Sequence, residues 1–121
     1  MTASSENTRS LLESYLAGAL LVKKFGPKEV DRESRFSYTI RLTNTSECPV
    51  CSIVMVETLI SLLEIESSEP ESELSESSMG RWVLGPILPG EHREVVVCCL
   101  AKKRLRFRSD TVLSYIPGPG D

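Results

Sequence analysis

The chain has 121 residues and a formal net charge of −3, from 14 Lys and Arg against 17 Asp and Glu. This length suits one domain, and a hydrophobic fraction of 40% is enough for a single core. The weakly acidic balance gives no general electrostatic basis for binding nucleic acid. No apolar run reaches the roughly 18 residues of a membrane-spanning helix, so no membrane span is predicted.

Residues 1–19 are predicted to form a flexible N-terminal arm. The segment 1–10 is small and polar, which is typical of a mobile terminus. Over 11–21 apolar side chains recur at helical spacing, so a short helix is one alternative and an extended segment is the other. The apolar stretch 16–22 lacks the flanking pattern of a secretory signal, which leaves production in the cytoplasm open.

The central part of the chain, residues 20–116, predicts a series of short strands. The clearest is 36–43, where aromatic and aliphatic side chains alternate with Ser, Thr and Arg, as in a half-buried antiparallel strand. Residues 93–100 form another strong strand, in which Cys98 and Cys99 must face opposite sides. Several such segments without a strand–helix–strand unit predict an all-β, immunoglobulin-like antiparallel β-sandwich.

The acidic segment 64–80 interrupts this pattern and is predicted to be a mobile loop. Glu and Ser dominate it, and it contains Pro70 and almost no apolar anchor. Calcium binding is the sharper alternative, but the Asp-x-Asp-x-Asp-Gly spacing of a calcium loop is absent. Residues 117–121, rich in Pro and Gly, are predicted to form a C-terminal tail.

Several segments together carry a family resemblance. LVKKFGPKEV at 21–30 precedes FSYTIRLTNT at 36–45, a strand that ends in Thr-Asn-Thr. Trp82 is followed by GPILPGE at 85–91 and then by a valine-rich strand. Over about residues 20–114 the chain resembles the conserved-repeat domain, domain of unknown function eleven, of prokaryotic surface proteins. That family also contributes repeats to the cysteine-rich outer-membrane proteins of chlamydiae.

The resemblance implies an immunoglobulin-like scaffold that works outside the cell or on a cell or spore surface. It also implies a structural role, because members of the family serve as spacers or filament subunits. The chain departs from the family in three respects. It is a single copy, it lacks a recognisable export signal, and the closing Asn-x-Ala-x-Val element is degraded at 109–112.

Four cysteines are the main chemical candidates. Cys48 and Cys51 form a Cys-x-x-Cys, whereas Cys98 and Cys99 are adjacent. Disulfides or cross-links between subunits, plain thiols and a metal site are the three alternatives. A structural zinc ion needs four ligands, and His92 is the only other candidate. Because two adjacent strand residues cannot both reach one metal, we expect candidate cross-links and no bound metal or cofactor.

No catalytic constellation is predicted. His92 is the single histidine and follows a Pro-Gly turn, where a solvated side chain is expected. The chain has no Gly-x-Ser-x-Gly elbow, no HExxH and no glycine-rich phosphate loop. The basic run 102–108 is interpreted as a solvated strand face that pairs with the acidic segment 64–76, in preference to a nucleic-acid patch.

These patterns and the resemblance predict a structural subunit of an extracellular or surface assembly, such as a filament, spore appendage or coat. Its main partner is expected to be a second copy, joined by strand addition from the arm 1–19 and by cysteine cross-links. Other surface proteins are a second class of partner. Two alternatives stay open: a monomeric adhesion or ligand-binding module, and an intracellular zinc protein built on the Cys-x-x-Cys.

Overall fold

A computed structural model describes residues 10–117 of the chain, and within this range it contains strands and turns but no helix. The strands are β1 Leu11–Ala17, β2 Leu20–Phe25, β3 Glu29–Val30, β4 Arg35–Asn44, β5 Val50–Thr58, β6 Leu63–Glu69, β7 Leu74–Glu76, β8 Met79–Leu84, β9 His92–Ala101, β10 Leu105–Arg106 and β11 Asp110–Pro117. No helix in this part of the protein is long and apolar enough to cross a membrane.

Two antiparallel sheets form the two layers of the fold. The five-stranded sheet has the order β1-β2-β4-β9-β6, and the four-stranded sheet has the order β11-β5-β8-β7. The short strands β3 and β10 pair with each other beside them. The prediction of an all-β fold of antiparallel sheets is therefore confirmed, and the arrangement of the two layers is that of a β-sandwich.

The core lies between the two sheets and follows from the alternation of side chains along each strand. On β4, for example, Tyr38, Ile40 and Leu42 point inward while the residues between them remain partly exposed. Both sheets contribute to one apolar cluster. Its fully buried members include Leu20, Val22, Tyr38, Ile40, Leu42, Ile53, Met55, Leu63, Trp82, Ile87, Val95, Val97 and Cys99.

The N-terminal segment differs from the predicted arm. Residues 11–17 form β1, which pairs antiparallel with β2 through a turn at Gly18, where φ is 65°. The alternative of a short helix over 11–21 is therefore wrong, because pairing with β2 satisfies the backbone of this segment. Residues 1–9 of the predicted arm lie outside the described residues.

The acidic segment 64–80 also differs from its prediction as one mobile loop. It contains most of β6, all of β7 and the start of β8, and β6 pairs with the interior strand β9. Leu63 at its start is fully buried, and Trp82 Nε1 donates a hydrogen bond to the Pro70 carbonyl at 2.9 Å. An edge strand needs few apolar anchors, because its glutamates remain in water while its backbone pairs with one neighbour.

The Thr-Asn-Thr end of β4 is fixed by the fully buried Asn44. Its side-chain nitrogen donates to the carbonyls of Cys48 at 2.7 Å and Ile87 at 2.9 Å. Its side-chain oxygen accepts from the Ser46 backbone nitrogen at 2.8 Å. Asn44 therefore joins the β4–β5 connection, which contains Cys48 of the Cys-x-x-Cys, to the segment between β8 and β9.

Candidate functional site

Two oppositely charged side chains are buried between the sheets at the same end of the sandwich. Lys24 is 3% exposed and Glu57 is fully buried. Lys24 follows Leu20 and Val22 on the inner face of β2, and Glu57 occupies the inner face of β5 two residues after Met55. Strand alternation therefore places one charged side chain from each sheet in the interior, Lys24 from β2 and Glu57 from β5.

The buried charges belong to a network that we call the Glu57 cluster, which consists of Lys24, Tyr38, Glu57, Ser109 and Thr111. The Tyr38 hydroxyl donates to one oxygen of Glu57 at 2.7 Å, and the Thr111 hydroxyl donates to the other. The Lys24 ammonium donates to the Ser109 carbonyl at 2.9 Å and to its hydroxyl at 3.0 Å. These contacts join β2 and β4 of one sheet to β5 and β11 of the other.

The ammonium of Lys24 also lies 3.4 Å from a carboxylate oxygen of Glu13 on β1, a half-exposed side chain. Among residues 10–117, no buried side-chain nitrogen or oxygen lacks a hydrogen-bond partner. A buried charge is tolerated when it is paired and hydrogen-bonded in this way. The cluster therefore acts as a polar clamp between the two sheets.

Burial sets the protonation behaviour of the cluster. Desolvation raises the pKa of Glu57, and the positive charge of Lys24 together with the hydrogen bonds from Thr111 and Tyr38 opposes this rise. Burial and the neighbouring Glu57 raise the pKa of Tyr38 well above its ordinary value. Tyr38 therefore stays protonated and serves as a donor, so it supplies no base for chemistry.

A small open cleft lies above the cluster, with a volume of about 270 Å³. Glu13, Lys24, Arg108 and Asp110 contribute its charged lining. The Lys24 ammonium is already bound to protein atoms, and the other three side chains bring mixed signs. In the described part of the chain, no group of three or more His, Cys, Asp or Glu side chains is placed to hold a metal ion.

The four predicted cross-linking cysteines all carry free thiols and lie in two places. Cys48 lies in the β4–β5 connection, and Cys51 is the second residue of β5, opposite Ile116. Cys98 and Cys99 lie on β9 in the other sheet and face opposite sides, as predicted. The structure therefore contains no disulfide among these residues, and cross-linking between subunits stays a prediction.

The two thiols on β9 differ in reactivity. Cys99 is fully buried, and desolvation, helped by the nearby Cys98 and Glu57, raises its pKa to about 12. Its thiol is therefore protonated at neutral pH and inert toward oxidation or alkylation. Cys98 is partly exposed on the outer face of the five-stranded sheet, opposite Ser37, and is the accessible member of the pair.

The basic run 102–108 is only partly the strand face that was predicted. It consists of a turn and the two-residue strand β10, and Phe107 is buried in the core against Tyr38. Lys102 forms an ion pair with Glu64 at 3.1 Å, so the predicted pairing with the acidic segment is confirmed at this residue. His92 is exposed at the start of β9, in agreement with a solvated side chain.

The edge strands β1 and β11 lie next to each other on one side of the sandwich, which we call the β1/β11 flank. The Tyr115 hydroxyl connects them, because it donates to the Ala17 carbonyl at 2.8 Å and accepts from the Ala19 nitrogen at 2.7 Å. Several large apolar side chains are exposed on this flank. They are Leu11 (50%), Leu16 (64%), Val112 (64%) and Ile116 (59%).

The β1/β11 flank and the opposite flank differ in the number of charged side chains on their edge strands. From Thr111 to Ile116, β11 has no charged side chain. The edge strands of the opposite flank, β6 and β7, are rich in glutamate instead. Lysines and acidic residues on an exposed edge normally discourage pairing with another chain, so the absence of charge from Thr111 to Ile116 of β11 is unusual for an edge strand.

No family model and no curated protein matches the chain. The Glu57 cluster was not predicted as a unit from the sequence, where Glu57 is one carboxylate among many. The sequence signal that could have identified Glu57 as buried is strand alternation, because Glu57 lies on the same face of β5 as Ile53 and Met55. Its partners Ser109 and Thr111 come from a distant part of the chain, which no local pattern reveals.

Proposed function

We propose that this protein is a non-catalytic structural subunit that associates with copies of itself in an extracellular or surface assembly, such as a filament, spore appendage or coat. The observation that carries this proposal is the β1/β11 flank, which combines exposed apolar side chains with a strand edge that is uncharged from Thr111 to Ile116. An edge of this kind is a template for adding a strand from another chain.

The interior chemistry supports a scaffold role. Glu57 and Lys24 are held by protein partners, and Tyr38 is kept protonated by burial. A catalytic site needs groups that are free to meet a substrate and whose pKa values suit proton transfer. The hydrogen bonds of the Glu57 cluster instead hold the two sheets together, which suits a structural subunit that must stay folded when mechanical force acts on the assembly.

The resemblance to the conserved-repeat domain of surface proteins supports the same role, because that family uses its scaffold in spacers and filaments. The joining element that we propose is the open edge of β11 on the β1/β11 flank rather than a donated arm 1–19, because residues 11–19 already form a hairpin with β2. Cysteine cross-links would then act after association, through thiols that are not fully buried, such as Cys98, Cys48 and Cys51.

The test is the oligomeric state of the purified full chain, measured by sedimentation velocity and negative-stain electron microscopy with and without reductant. We expect concentration-dependent association in both conditions, with covalent cross-links only in the oxidised sample. A chain that remains monomeric at high concentration in both conditions would contradict self-association and favour a monomeric binding module. Bound zinc together with a loss of stability on chelation would favour the Cys-x-x-Cys metal protein instead.

A further inference from the structure

We infer that two copies pair through their β11 strands, antiparallel and about a two-fold axis next to Val112, so that two four-stranded sheets become one continuous sheet. This inference rests on the proposed function and names the element and the register by which it works. It follows from the edge that β11 presents, from the charges on each edge strand and from the side chains of β11 itself.

The first step concerns the open edge. Within the described residues β11 pairs only with β5, so the backbone groups on its other side have no strand partner. Such groups are satisfied by water or by a strand from another chain. Val112 and Ile116, which are exposed beside this edge, lose apolar surface to water when another strand covers it.

The second step compares the four edges of the two sheets. The edge strands β6 and β7 contain Glu64, Glu66, Glu69 and Glu76, and β1 contains Glu13. When two copies pair about a two-fold axis, an edge strand lies beside the same strand of the second copy. Like charges then face each other unless the strand has no charged residue near the axis. The longest uncharged run lies in β11, from Thr111 to Ile116, whereas the run in β1 spans only residues 14–17, and β11 therefore suits self-pairing best.

The third step fixes the register. The ladder between β11 and β5 is regular from Asp110 to Ser114 and shifts between Ser114 and Ile116. An axis next to Val112 uses this regular part and sets Val112 opposite Val112 of the second copy. Asp110 then lies opposite Ser114 of the second copy, where a hydroxyl can donate to the carboxylate. Both contacts are favourable cross-strand pairs.

The fourth step concerns the rest of the molecule. Each chain has a net charge of −3, so two copies repel unless their acidic surfaces lie apart. In the strand orders, β6 is the far edge from β1, and β7 is the far edge from β11. Pairing through β11 therefore keeps both glutamate-rich edges on the outside of the dimer, where water and salt screen them.

The experiment is a charge swap at the proposed axis in the full chain. Val112→Lys and Val112→Glu each place two like charges opposite one another, and each should raise the dimer dissociation constant by roughly tenfold or more. An equimolar mixture of the two variants sets Lys against Glu and should restore association. Sedimentation velocity measures all three samples, and circular dichroism verifies that each variant is folded.

The matched control is Val83→Lys, which adds the same charge to the outer face of the same sheet. Val83 is 52% exposed on β8, which is not an edge strand, so its substitution should change the dissociation constant by less than about twofold. Equal weakening by Val83→Lys would indicate stacking of the sheet faces and overturn the inference.

Two further outcomes separate this inference from the proposed function. If the unmodified chain associates and the Val112 variants do not weaken it, or if their mixture does not restore it, pairing at β11 is overturned and self-association stands. If the unmodified chain is monomeric, the proposed function and this inference fail together.

Discussion

At the level of single residues, the buried charges of Lys24 and Glu57 have large energetic consequences. An unpaired buried carboxylate is strongly unfavourable, and removing one partner of a buried pair commonly costs about 3–5 kcal/mol. Glu57 avoids this through two hydroxyl donors and the nearby positive charge of Lys24. Its raised pKa indicates that burial still disfavours its charged form.

This pKa shift predicts how stability depends on pH. The pKa of Glu57 is higher in the folded chain than its ordinary value of 4.5, so the folded state binds more protons in the interval between the two values. The contribution of Glu57 to stability is therefore most favourable below that interval and is lost as the pH rises through it. Glu57→Gln has no carboxylate to ionise and should lack this part of the pH dependence.

The measurement is urea denaturation of the wild type and of Glu57→Gln at about pH 4 and about pH 7.5. The wild type should lose more free energy of unfolding between these conditions than the variant, because all other carboxylates are common to both. The control is Glu94→Gln, at an exposed position on β9. Its free energy of unfolding should change with pH as that of the wild type does, apart from the effect of losing the ion pair with Arg41. If the free energy of unfolding changed equally with pH in the wild type and in Glu57→Gln, the raised pKa of Glu57 would be contradicted.

The residue scale also shows where sequence reasoning succeeds. Cys98 and Cys99 could be assigned to opposite faces because they are adjacent on a strand with strong alternation, and the structure confirms it. Glu57 could be placed on an inward face by the same rule. Its hydroxyl partners could not be predicted, because Thr111 meets it only through the pairing of β11 with β5, and Tyr38 only when the two sheets pack together.

At the level of elements, the interior strands and the edge strand β11 could be predicted, whereas the edge strands β1, β6 and β7 could not. β4 and β9 have neighbours on both sides and one buried face, so their alternation is visible in the sequence. β1 and β6 each pair on one side only and have few fully buried side chains. The sequence of β1 is therefore typical of a flexible arm and that of β6 of a mobile loop, although each backbone is hydrogen-bonded to one neighbouring strand.

The hairpin of β1 and β2 gives a prediction at this scale. Removing residues 1–19 deletes β1, exposes one side of β2 and takes Leu12, Tyr15 and Ala17 away from the core. We expect a loss of a few kcal/mol in the free energy of unfolding, since each partly buried apolar side chain contributes about 1 kcal/mol or more.

Urea denaturation measures this loss, with a chain lacking only residues 1–9 as the reference. Because that reference retains the whole hairpin, the difference between the two truncations isolates β1 and its turn. Equal stability of the two truncated chains would show that β1 contributes nothing to the sandwich and would contradict its role as a strand of the sheet.

At the level of the whole molecule, the distribution of charge is uneven. The β6/β7 side is acidic, and the turn around Lys102 and Arg104 is basic. The β1/β11 flank exposes apolar side chains, and its strand β11 is uncharged over residues 111–116. Lys102 and Arg104 already contact Glu64 and Glu29 of the same chain. These internal ion pairs leave less charge for contacts between copies, whereas among residues 10–117 no strand pairs with the open edge of β11 on the apolar flank.

Two routes to self-association follow from this distribution, and they respond differently to salt. Contacts between the acidic side of one copy and the basic turn of another would weaken strongly as salt rises, because exposed charges are screened beyond about 10 Å at 0.1 M ionic strength. Pairing through the β1/β11 flank buries apolar surface and backbone hydrogen bonds instead, and these depend little on moderate salt.

We therefore expect the dissociation constant to change by less than about threefold between about 0.05 and about 0.5 M NaCl, measured by sedimentation velocity at constant pH. A small strengthening is the expected direction, because screening also reduces the repulsion between two chains that each have a net charge of −3. Lys102→Ala provides the control, since it removes a basic side chain of the competing route and should leave flank association unchanged. A dissociation constant that rises steeply with salt and with Lys102→Ala would assign association to the charged surfaces and not to the flank.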